Sequence, residues 1–175
     1  ALFGRFLTSD EFAECDAAMQ VAHALGTEPA EITYDYFTAV DDRSQETGAG
    51  HLGETELASS VFYKYAVCDF QSLAASLTRG TTRISGRDVE TAAKAMGAMA
   101  QAIARTVPSG KKNGTAPQSP ADYLEVVVRR NSPISLANAF LKPVRPKGEQ
   151  DVMELSIQNL REYASKLEGG YSGAD

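Results

Sequence analysis

His51 is the residue whose type and surroundings come closest to acid–base chemistry. It sits in the glycine-rich run Gly48–Gly53, with Asp41, Asp42, Glu46, Glu54 and Glu56 near it in sequence. An imidazole among carboxylates suits a general base or a metal ligand. The spacing takes neither role further. The other histidine, His23, is far off along the chain, and no HExxH, GxSxG or CxxC pattern occurs. The same glycine run lacks the Lys-Ser/Thr ending of a phosphate-binding loop. Cys15 and Cys68 make neither a disulfide scaffold nor a zinc cluster, and Cys68 in an apolar stretch reads as packing rather than as a nucleophile. With no catalytic constellation in view, the expectation is a protein that is not an enzyme and uses no cofactor or metal.

The residues suited to binding are better grouped. Tyr34, Tyr36, Phe37 and Val40 fall in one segment with little other apolar content around it. On an exposed hairpin such side chains wedge or stack against bases, at about 1–3 kcal/mol each; alternatively they pack the hairpin onto its own domain. Lys111 and Lys112 lie in one loop and Lys142, Arg145 and Lys147 in another, apart from compensating acids. They can hold phosphates as point charges or serve solubility alone.

These residues need positioning elements. Ala1–Leu7 reads as a short strand containing Gly4-Arg5, and Ser9-Asp10-Glu11 as a helix start. Met19–Leu25 fits a strand by alternation and a helix by length. Gly26 and Pro29 interrupt it, Ile32–Val40 is extended, and Asp41–Gly53 is a loop, so residues 26–54 form a long hairpin or flap. Val61–Phe70 alternates as a strand, and Phe70–Leu77 suits a short helix. Thr78–Ile84, with Arg79 and Arg83, is a loop. Ser85 and Asp88 predict a capping box. The stripe Val89, Ala92, Ala93, Met96, Met99, Ala100, Ile103, Val107 predicts a helix of about 20 residues, or roughly 30 Å, stopped by Pro108 and Gly110. Ser109–Pro120 is a loop. Tyr123–Arg130, with Val126-Val127-Val128, predicts a strand buried on both faces. Ile134–Phe140 suits a short helix. Pro143 and Pro146 keep Lys142–Lys147 out of helix. Met153, Ile157, Leu160, Ala164 and Leu167 predict a last helix, ended by Gly169-Gly170. The order predicts an α+β fold with helices on one face of a mostly antiparallel sheet.

The chain has 175 residues, a 43% hydrophobic share and a net charge of -6, the size and composition of a globular domain. No run approaches the roughly 20 apolar residues of a membrane span, no secretory signal is visible, and a cytoplasmic setting is expected. The charge is uneven. Residues 1–60 balance to -10, residues 61–148 to +8, and residues 149–175 to -4. A polyanion binds a local basic surface rather than a net charge, so the middle zone is open to phosphates. The bland alternative is that the zones mix in space.

The segments AHALGTEPAEITYDYFTAVDD, GAGHLGETELASSVFYKYA and TVPSGKKNGTAPQSPADYLEVVVRRNSPISLANAFLKPV resemble, in that order, the CasC-type backbone subunit of the type I-E CRISPR Cascade complex, a branch of the RAMP superfamily. The resemblance implies a ferredoxin-like, RNA-recognition-type palm over residues 1–25 and 55–175, with a long β-hairpin thumb over residues 26–54. It implies a non-catalytic, RNA-binding subunit of antiviral defence. Such a subunit oligomerises along a crRNA guide, and its thumb displaces guide bases at intervals so that the rest pair with target DNA. Partners would be the guide, target DNA, other copies and other Cascade subunits, and no membrane. By resemblance, Phe37 and Val40 are the wedge at the displaced base, Tyr36 stands beside them and Phe6 lines the kink. Lys111, Lys112 and Asn113 lie near the guide backbone, and Lys142, Arg145 and Lys147 hold DNA. Family members are longer. A chain that opens on Ala1 rather than Met is expected to be a piece lacking the N-terminal palm strand and the fingers. The alternative function is a RAMP-type RNA-processing endonuclease using His51 with Asp41 or Asp42.

Overall fold

The computed structural model describes residues 2–4, 16–39, 51–78, 83–107, 109–110, 112–116, 119–130 and 132–171. Phe6, Val40, Asp41, Asp42, Glu46, Cys15 and Lys111 lie outside them, as does the helix start expected at Ser9. The fold is α+β, and among the described residues every strand pairing is antiparallel. The described strands are β1 (Met19–Val21), β2 (Leu25–Gly26), β3 (Ile32–Ala39), β4 (His51–Ala58), β5 (Phe62–Tyr63) and β6 (Ala66–Cys68). The helices are α1 (Phe70–Ser76), α2 (Gly86–Arg105), α3 (Lys112–Thr115) and α4 (Val152–Tyr171), with a 3-10 turn at Ala137–Phe140. The chain divides into two compact units. One holds residues 1–23 and 65–134, the other residues 24–64 and 135–175.

In the first unit β1 pairs with β6, Met19 opposite Cys68 and Val21 opposite Ala66. Helix α1 packs on α2. The buried cluster is Ala18, Leu73, Ala74 and Ala92, flanked by Leu2, Cys68, Leu77, Ala95 and Met96. Small side chains let the elements approach closely, and Leu73 fills the centre. Both helices start where the sequence provides an acceptor. The Asp69 carboxylate receives the N–H groups of Gln71 and Ser72 at 2.9 and 3.1 Å. Ser85 and Asp88 form the expected reciprocal capping box. Cys68 is half-buried, and its burial, then the neighbouring Asp69 charge, raises the thiol pKa, so the thiol stays protonated at neutral pH.

In the second unit one residue ties three segments together. Thr27 is 2% exposed. Its N–H donates to the Val61 carbonyl at 2.9 Å, and its own carbonyl accepts the Val144 N–H at 2.8 Å. Its hydroxyl meets the Ser156 hydroxyl at 2.8 Å. Ser156 already donates to the Val152 carbonyl at 2.7 Å, so Thr27 is the donor between them. A second tie comes from Tyr63. Its hydroxyl accepts the Leu136 N–H at 3.0 Å, and its ring lies 5.5 Å from that of Phe140. Helix α4 is capped by Asp151, which accepts the Met153 N–H at 2.7 Å. It buries Ser156 and Leu160.

Several elements differ from expectation. Leu2 and Phe3 form a turn rather than a strand, with the Leu2 carbonyl accepting the Met19 N–H. Val61–Phe70 is not one strand, because Lys64 and Tyr65 separate two ladders, β2–β5 and β1–β6. His51–Gly53 belong to a strand, not a loop. One helical turn, α3, interrupts the loop at Ser109–Pro120. Helix α4 runs through Gly169 and Gly170 to Tyr171, since a helical glycine costs only about 1 kcal/mol against alanine. The largest difference is Tyr123–Arg130. It carries no ladder, and Val126, Val127 and Val128 are 65%, 53% and 92% exposed. Strand propensity is a fit to a pleated surface, and no described strand provides one beside these valines.

Two predictions follow from these contacts. Thr27→Val should cost about 1 kcal/mol in urea unfolding, and Ser156→Ala more, because it leaves a buried hydroxyl proton without an acceptor. The double variant should cost less than the sum of the two. Separately, Asp69 has its pKa lowered by hydrogen bonds from Ser72 and Gln71, and Asp88 by those from Ser85. A carboxyl group depressed on folding stabilises fully above its unfolded value, about 4, and loses that contribution as the pH falls through the folded value. Thermal midpoints should therefore drop below about pH 4, and Asp69→Asn should flatten part of that drop.

Candidate nucleic-acid interface

The second unit carries the hairpin. Strands β3 and β4 pair from Ile32 opposite Ala58 to Ala39 opposite His51. Below the hairpin, Thr27 pairs with Val61, and the Glu28 carboxylate accepts the Val61 N–H at 3.1 Å. From there to Ile32 and Ala58, four residues on one strand face two on the other. Pro29 lies within that stretch, where a missing N–H is harmless.

Alternation divides the hairpin side chains into two sets. Tyr34 and Tyr36 stand opposite Glu56 and Glu54 and share one face with them. Phe37 leaves the other face, directly opposite Gly53. The Phe37 ring lies over that glycine: a Cβ placed on Gly53 would collide with the ring tip. A glycine in a strand leaves room for a close approach, and here the approaching group is an aromatic ring, an arrangement known to compensate strand glycines. Tyr36 is 64% and Phe37 49% exposed. The rings are thus not consumed in a core. The sequence groups Tyr36 with Phe37, but the structure sends them to opposite faces.

The basic stretch Lys142–Lys147 belongs to the same unit. Its one buried residue is Val144, 4% exposed, whose N–H binds the Thr27 carbonyl. Lys142, Arg145 and Lys147 are all exposed. Gly148 adopts φ +65° and turns the chain toward α4, while the Lys147 N–H donates to Gln150 Oε1 at 2.9 Å. One residue, Thr27, therefore anchors both the hairpin base and the basic stretch. Sequence reading missed it. The available signal was Val144, a lone apolar residue inside a basic run.

The remaining candidates are dispersed. Lys112 and Asn113 open α3 in the first unit. His51 opens β4 opposite Ala39, and among the described residues no group of three or more His, Cys, Asp or Glu stands close enough to hold a metal. The described hairpin strands carry Asp35, Glu54 and Glu56 but neither Lys nor Arg. No described helix is long and apolar enough to cross a membrane.

This α+β architecture, with antiparallel ladders and a long hairpin, is similar to that of chains solved in two assemblies. One is described as a CRISPR RNA-guided surveillance complex, pre-nicking. The match has a TM-score of 0.77 and 32% identity, over 97% of this chain and 44% of the other. The second, a CRISPR RNA-guided surveillance complex, matches with the same TM-score and identity over 97% of this chain and 62% of the other. The chain thus spans less than half the length of the first and about three fifths of the second. The model of the CT1975-like protein family matches residues 1–175, and the chain belongs to that family. A comparison with curated proteins found no match.

The ring over Gly53 has a direct spectroscopic signature. Gly53 Hα protons should be shifted upfield by the Phe37 ring current, and should return to ordinary positions in Phe37→Leu. Gly53→Ala should displace the ring, not the backbone, because the ring is the movable partner. An unshifted glycine in the unsubstituted protein would contradict this packing.

Proposed function

We propose that this chain is part of a non-catalytic backbone subunit of a CRISPR Cascade complex, of the CasC kind in type I-E systems. In this reading it binds a crRNA guide, assembles with further copies along it, and uses the hairpin to displace guide bases so that the rest pair with target DNA. The observation that carries the reading is the exposed Phe37 on a hairpin with no core of its own, in a chain similar to parts of RNA-guided surveillance complexes. The family membership and the resemblance of Tyr36–Asp42 and Gly50–Tyr65 support it.

This reading gives different work to different parts. The described hairpin strands are acidic, so phosphate attraction does not draw this element to the guide. Phe37, with Val40, is the wedge. Affinity for the backbone falls to basic segments, Lys111, Lys112 and Asn113 for the guide, and Lys142, Arg145 and Lys147 for DNA. The Tyr34, Tyr36, Glu54 and Glu56 face suits cationic side chains of a neighbouring copy, by ion pairing and by cation–π contact. Base recognition belongs to pairing, and the protein holds the guide by its backbone, so many guide sequences are accepted.

Binding of single-stranded RNA at 50 and 200 mM salt tests this. Affinity should fall steeply with salt. Phe37→Ala with Val40→Ala should abolish the fluorescence rise of a 2-aminopurine at the displaced position and leave the salt slope unchanged. Lys142→Glu with Arg145→Glu should weaken target DNA capture by the assembled complex. RNA binding that ignores salt would count against the proposal, and loss of an RNA-cleaving activity in His51→Ala would favour a nuclease instead.

A further inference from the structure

Phe37 and Gly53 face each other across the hairpin. The ring tip Cζ, with Cε1 and Cε2 beside it, fills the space where a side chain at position 53 would begin. Side chains in strands ordinarily stand roughly perpendicular to the sheet. A ring that leans over the partner strand needs a gap there, and glycine alone leaves one. The next pair on this face toward the hairpin base, Asp35 opposite Thr55, has a Cβ on both strands. Tyr34 and Tyr36 leave the other face, so Phe37 is the one aromatic residue that β3 sends to this side. A glycine weakens strand pairing, and it stands opposite this one ring.

We infer that Gly53 is a positioning residue for base displacement: it admits the Phe37 ring to one orientation, low across β4, and so fixes where the ring meets a nucleobase. The inference rests on the proposed reading of Phe37 as the wedge. A phenylalanine on an open strand face samples more than one staggered orientation, and ordering it at the moment of contact costs side-chain freedom. A ring already held over Gly53 has lost that freedom before the base arrives. A Cβ at position 53 collides with the ring and drives it off the strand. A purely structural pairing, in which the ring only shields a weak strand, has the opposite consequence: Gly53→Ala then strengthens the strand and leaves base displacement alone.

The full-length subunit, assembled on a guide RNA carrying 2-aminopurine at the displaced position, separates the two. Gly53→Ala should shift the displacement equilibrium by about threefold to tenfold, the order expected for re-ordering one side chain, and so lower the fluorescence rise. Guide affinity and its salt slope should not change. Added to Phe37→Ala, the same substitution should have no further effect, because Gly53 acts only through the ring. Thr55→Ala, on the same face but not opposite the ring, should leave the rise unaltered. Circular dichroism and co-assembly check that each variant folds. If Phe37→Ala removes the rise while Gly53→Ala leaves it at full height, the positioning role is overturned and the wedge reading stands. A further drop on adding Gly53→Ala to Phe37→Ala would also overturn it, since the glycine would then act through the backbone. If Phe37→Ala itself leaves the rise intact, the wedge reading fails and the inference goes with it.

Discussion

Thr27 is a small polar residue whose N–H, carbonyl and hydroxyl are all bonded inside the protein. Burial makes each of those bonds costly to lose, since an unmet buried polar group forfeits its hydration with nothing in return. The three partners come from three places in the sequence: Val61 beyond the hairpin, Val144 within the basic stretch, and Ser156 on α4. The hairpin base, the cationic segment and the last helix are therefore held through one position. The exposed ends of those elements, Phe37 on one and Lys142, Arg145 and Lys147 on the other, are free to meet something else because their roots are fixed.

Separation of charge is the second constraint. The acidic residues of the first 60 include Asp35, Glu54 and Glu56 on the described hairpin, while Lys142, Arg145 and Lys147 project from a segment pinned by a single valine. The net charge of -6 conceals this separation.

Much of the helical structure was legible in local chemistry. Ser85 with Asp88, and the apolar stripe after them, set α2 to within a few residues, because a cap and a period of 3.6 are properties of neighbouring residues. The extended nature of Ile32–Ala39 was equally plain from its β-branched and aromatic content. Where partners decide, local reading failed. His51–Gly53 looked like loop because glycine and histidine do not favour strands, yet pairing with Phe37–Ala39 makes them one. Tyr123–Arg130 looked like a doubly buried strand, yet it has no ladder. Of the candidate site, the exposed aromatic residues and the basic stretch could be named from sequence. Their anchoring through Thr27 could not, because nothing near Thr27 marks it.

By itself the sequence determined the starts of α1 and α2, the α+β class, the acidic and basic zones and the likeness to Cascade subunits, all of which depend on residue type and short spacing. Tertiary structure alone decided that Tyr36 and Phe37 part to opposite faces, that Phe37 lies on Gly53, and that Val144 ties the basic stretch to the hairpin base. It also decided that the valines at 126–128 stand in water. The physical reason is that a side chain's face, its burial and its hydrogen-bond partner depend on which distant segment lies beside it, and no local pattern encodes that.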